Sequence, residues 1–133
     1  MKLLDRLTTG DVVYTSCVGL PFCYHLGIVV ETNGTKRIFH NSPYIKNRYG
    51  GSVCAETYEA FMKERQVVKV YRTNATKKDI LRVSNKCRRE VWDTFFFNCE
   101  DYILEIVEGR RRSDLRDAWK IGILAIIGYF ILE

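Results

Sequence analysis

Two histidines and one cysteine hold the chemistry that this chain could perform. His25 and His40 are its only histidines. Cys99 follows Asn98, a residue type that caps helix starts, and so falls on the first helical position. There its sulfur lies near unpaired backbone N–H groups and the positive end of the helix dipole, which favour thiolate over thiol. The thiolate is the attacking form of cysteine, and a nearby imidazole would complete its activation as a nucleophile. Cys17, Cys54 and Cys87 read as inert core thiols. A metal site is the rival reading. Cys23 and His25 are two apart on a strand, hence on one face, and with His40 and Cys99 would form a Cys2His2 set. Structural zinc sites bring their ligands in close pairs, which His40 and Cys99 do not form, so no metal or other cofactor is expected.

The elements that must position these groups can be read from local signals. Tyr24–Glu31 and Lys36–His40 are strand-like, and Asn33-Gly34 between them is a strong hairpin signal. If these two residues are the centre of a two-residue turn, Val29 faces Ile38 and Gly27 faces His40. His25 then shares a face with Gly27, so both histidines point to one side as diagonal neighbours, roughly 7–8 Å apart. Gly27 is either an opening between the rings or a point of tight packing. Gly10-Asp11 introduces a strand from Val12 to Thr15, and Val67–Tyr71 reads as a further strand. Tyr58, Phe61 and Met62 have helical spacing. Thr76 can cap a helix from Lys77 to about Phe95, with Ile80, Leu81, Ser84, Cys87 and Val91 on one face. Cys99, Tyr102, Ile103, Ile106 and Val107 form the apolar stripe of a helix that Gly109 stops. Strands early and helices late predict an α+β fold with an antiparallel β-sheet and packed helices.

The 133 residues suit one domain, and a hydrophobic share of 47% excludes a disordered or collagen-like chain. A net charge of +5 selects no partner by itself. The aromatic residues have core-like spacing and no recognition motif is visible, so no nucleic acid is expected. Five cysteines without a Cys-x-x-Cys pair make a poor disulfide framework, and the first ten residues lack the apolar stretch of a signal peptide. A reducing, cytoplasmic setting follows. Residues 1–117 read as the catalytic domain and 118–133 as a separate hydrophobic segment. Ile121–Leu132 is free of charge and follows Arg110-Arg111-Arg112 and Trp119-Lys120. It is shorter than the roughly 20 residues of a membrane span. Contact with a membrane surface, a closing helix and a self-association surface all remain open for it. The basic clusters Lys77-Lys78, Lys86–Arg89 and Arg110–Arg112 read as solvated faces or as contacts for anionic lipid.

Taken in order, Tyr24-His25-Leu26-Gly27-Ile28-Val29-Val30, then His40-Asn41, then Asn98-Cys99-Glu100-Asp101-Tyr102 resembles the lecithin retinol acyltransferase-like proteins. These are a circularly permuted branch of the NlpC-type, papain-like cysteine hydrolases. The order His, His, Cys is the permuted one, and the resemblance extends from about Thr9 to Trp119. Leu26 stands where many members have an aromatic residue, and Asp101-Tyr102 where His-Phe is common. The resemblance implies a permuted papain-like fold with Cys99, His25 and His40 as catalytic residues. Cys99 would attack an ester or amide carbonyl and hold the acyl group as a thioester, His25 would shuttle the proton, and His40 would orient His25. Phospholipid is the implied acyl donor, with Ile121–Leu132 bringing the site to its bilayer. A cysteine peptidase or amidase acting on peptides and a non-catalytic, membrane-associated adaptor are the alternatives.

Overall fold

The structure, a computed structural model, describes residues 2–17, 24–93 and 97–111. It is an α+β fold: a five-stranded antiparallel sheet in the order β4-β3-β2-β1-β5, accompanied among the described residues by four helices. The strands are β1 (Val12–Cys17), β2 (Tyr24–Thr32), β3 (Thr35–Asn41), β4 (Val53–Thr57) and β5 (Arg65–Tyr71). The helices are α1 (Leu3–Arg6), α2 (Tyr58–Met62), α3 (Lys77–Lys86) and α4 (Cys99–Glu108). Cys23 and the whole segment 118–133, with Ile121–Leu132, lie outside the described residues. Among those described, no helix is long and apolar enough to cross a membrane.

The β2–β3 hairpin has the register that its turn demands. Asn33 and Gly34 both have positive φ, 52° and 79°, as a turn matched to the strand twist requires. Val29 pairs with Ile38, and Ile28 with Phe39. Alternation along β2 then separates two cores. Leu26, Ile28 and Val30 pack with Val12 of β1 and with Ile80, Val83, Tyr102, Ile103 and Ile106 of α3 and α4. Val29 lies on the other face with Val13, Ile38, Leu7 and Phe61 of α2.

Three elements differ from the sequence expectation. β4 and α1 were not foreseen. α3 ends at Lys86 rather than near Phe95, and Leu81 and Val91, placed on its apolar face by spacing, are exposed while Val83 is buried. The chain leaves the helix because the loop before β4 offers other partners. Asn47 Nδ2 donates to the Arg88 carbonyl and Ser52 N–H to that of Glu90, while Gly51 lets Arg88 approach closely. These tertiary bonds replace the helical ones that residues 88–90 would otherwise make.

Candidate active site

Each functional side chain is placed by a different element. His25, at the start of β2, and His40, at the end of β3, project to the face that also holds Phe61. Their rings meet edge to face with centroids 5.0 Å apart, and Phe61 lies 5.7 Å from the first and 5.0 Å from the second. The diagonal contact expected from the turn is therefore made. It is a direct hydrogen bond, His25 Nε2 to His40 Nδ1 at 2.8 Å. Both rings are buried, with exposures of 5% and 1%.

Gly27 resolves to tight packing and not to an opening. A Cβ there would collide with Ile38 Cγ2 and lie 2.9 Å from Phe61 Cζ. Phe61 packs beside both rings and fills the space that the glycine leaves.

Cys99 opens α4. Asn98 accepts from the N–H groups of Glu100 and Asp101 at 3.0 Å each, and the Asp101 carboxylate accepts from the Asn98 N–H, forming a reciprocal capping box. Buried Asn41, the last residue of β3, donates to the carbonyls of Phe97 (3.0 Å) and Asn98 (3.1 Å), which docks this helix start on the end of the sheet. The His25 carbonyl turns toward β1, where Thr15 Oγ1 donates to it, so the N–H of Leu26 turns the other way. β3 pairs with β2 only as far as Ile28, and the Cys99 sulfur takes up that N–H.

Burial at this place reverses the expectation of a resting thiolate. It pushes the Cys99 thiol up to about 11, against the opposing backbone donors of Leu26, Glu100 and Cys99 itself. The His25 imidazole is held well below its ordinary value, first by burial and then by the Arg65 guanidinium and His40. Thus His25 and Cys99 are both neutral at rest. What the two share is a cavity of about 670 Å³. His25, Leu26 and Cys99 line it, with Tyr14 and Tyr24 on one wall and Ile103, Leu104 and Val107 of α4 along its length. Tyr14 and Tyr24 stack at 5.3 Å.

Two further groups at the site escape a reading of the sequence. Glu56 Oε2 lies 2.7 Å from His40 Nε2. Glu56 and Cys54 are alternate residues of β4, and Cys54 Sγ is 3.4 Å from the same nitrogen. Arg65, at the start of β5, stacks over Phe61 at 5.2 Å and supplies the positive field at both imidazoles. Cys23, one of the four residues of the metal reading, lies outside the described residues; among those described, no group of three or more His, Cys, Asp or Glu side chains could hold an ion. Cys54, Cys87 and Cys99 are free thiols.

Comparison with known proteins yields no match to a family model, to a curated protein or to a solved structure.

Proposed function

We propose that this chain is a thiol-dependent acyltransferase or hydrolase with a permuted papain-like fold, acting on phospholipid esters through Cys99, His25 and His40. The observation that carries the reading is the cavity shared by Cys99 and His25, whose imidazole is hydrogen-bonded to a second one. A mainly apolar wall beside a thiol suits an acyl chain.

In the proposed reaction the Cys99 sulfur attacks the acyl carbonyl, forming a C–S bond, while its proton passes to His25. The ester C–O bond breaks and the leaving oxygen takes that proton. Water, an alcohol or an amine then attacks the thioester, its proton moving to His25 and from there to the departing sulfur. The N–H groups of Cys99 and Leu26 point to the sulfur and are the donors offered to the oxyanion. Ile121–Leu132 would hold the site at a bilayer, in a cytoplasmic, membrane-associated protein.

The raised thiol favours a second reading, a non-catalytic module that keeps the fold. Intact mass spectrometry after incubation with mixed phospholipid vesicles separates the two. A fatty-acyl mass gain in the wild type, absent in Cys99→Ser and slowed by His25→Ala, is the expected result. No adduct and no lysolipid would sink the lipid reading and leave a peptide substrate or the adaptor. An adduct that persists in Cys99→Ser would place the nucleophile elsewhere.

A further inference from the structure

The hydrogen bonds at the histidine pair have a direction. A neutral imidazole has one N–H and one lone pair, and a carboxylate oxygen only accepts. His40 Nε2, 2.7 Å from Glu56 Oε2, must therefore hold the proton of that ring. His40 Nδ1 is then a lone pair and accepts from His25 Nε2, 2.8 Å away. The remaining nitrogen of His25, Nδ1, is left bare. From this geometry we propose that Glu56 is a positioning residue that holds both histidines as Nε2–H tautomers and so makes His25 Nδ1 the free base of the site.

A competitor makes the role of Glu56 specific. Cys54 Sγ lies 3.4 Å from the same His40 nitrogen, and burial holds its thiol protonated, pushed up to about 12. A thiol that donates to His40 Nε2 would impose the opposite order: His40 Nδ1–H would donate to His25 Nε2, and His25 Nδ1 would hold the proton. The carboxylate bond is shorter and charge-assisted, and it prevails. Without Glu56, Cys54 is the partner that remains, and the proton order at both rings reverses. The catalytic value of a bare Nδ1 rests on the thiol chemistry proposed above, whereas the tautomer order stands on the hydrogen bonds alone.

Nitrogen-15 NMR of the full chain labelled at histidine tests this, since only two rings contribute and His25→Asn assigns them. At a pH where both rings are neutral, the wild type should show protonated Nε2 and bare Nδ1 on each. Glu56→Asp should keep that pattern, whereas Glu56→Ala should invert it, with Cys54→Ala removing the inversion in that background. Acylation of Cys99 by an activated ester should fall in Glu56→Ala by about 10²- to 10⁴-fold, the upper figure being the loss when a serine-protease histidine is forced into its wrong tautomer. A protonated His25 Nδ1 in the wild type, or an unchanged order in Glu56→Ala, would overturn the proposal. Because the wild-type spectrum is decisive by itself, a variant that fails to fold does not shelter it. The predicted tautomers together with no acylation of Cys99 by any donor would uphold the role of Glu56 and overturn the thiol reading.

Discussion

At His25 and His40, burial sets the charge and thereby links the site to the stability of the whole chain. Burial is the largest influence on both rings and lowers both; Arg65 adds to it, while Glu56 opposes it at His40. In the unfolded chain each ring takes up a proton near 6.5, but in the folded chain it resists until lower pH. The unfolded state therefore binds more protons below that value, and stability falls as the pH drops. The contribution is fully present above about 6.5 and is lost toward the depressed folded values, with a slope of up to about 1.4 kcal/mol per pH unit for each ring. Urea unfolding from about pH 7.5 to about pH 5.5 should show a falling midpoint, and His25→Asn should flatten it. A midpoint that holds or rises over that range would mean that the rings are protonated in the fold. Arg65 matters in the same direction: its guanidinium helps keep both imidazoles uncharged, so Arg65→Met should raise the titration of both rings.

The element on which the proposed nucleophile depends is the start of α4, and its anchor is Asn41. That side chain donates to the carbonyls of Phe97 and Asn98 and accepts from Ser52 Oγ. It so ties the last residue of β3, next to His40, to the cap of the helix that presents Cys99. Asn41→Leu keeps the volume but removes three buried hydrogen bonds, each with a net worth of about 0.5–1.5 kcal/mol, while the two carbonyls keep their backbone donors Asp93 and Tyr102. The expected outcome is a lowered urea midpoint together with faster alkylation of Cys99 as the helix start loosens. A loss of stability with Cys99 still protected would confine Asn41 to a packing role.

The signals that placed these elements in the sequence were local ones. Asn33-Gly34 determined the hairpin register, and with it the contact of His25 and His40, because two positive φ values in succession leave one turn geometry. Asn98 and Gly109 bounded α4 because each satisfies orphan backbone groups at a helix end. The misses have a tertiary origin. β4 runs Val-Cys-Ala-Glu-Thr, with β-branched residues only at its two ends and no aromatic to announce a strand, and pairs because β3 offers it an edge. Without that strand Glu56 has no place beside His40, so the relay was invisible. The helix dipole at Cys99 was legible, but its desolvation was not: burial of the sulfur follows from tertiary packing, which no local signal shows.

At the scale of the molecule, the sheet divides the labour. One face and α2 hold the imidazoles, Glu56 and Arg65 against Phe61, while α3 and α4 cover the other face, and the cavity joins them where β3 stops. Along α4, Cys99, Ile103 and Val107 recur every four residues and all line that cavity. Eight residues of helix rise by about 12 Å, so the groove runs about that far from the sulfur to the exposed Val107 at its outer end. A substrate whose acyl chain lies in this groove is measured by its length, whereas one that reacts at the cavity mouth is not. Val107→Trp fills the outer end without touching Cys99, His25 or their partners. For long-chain acyl esters it should lower kcat/KM by at least about tenfold, the equivalent of roughly 1.4 kcal/mol of lost binding in the transition state, and leave short-chain esters unchanged. An equal fall for both lengths would mean that the tryptophan disturbs the site itself. No fall for either would place the acyl chain outside the groove and turn attention to the wall of Tyr14 and Tyr24.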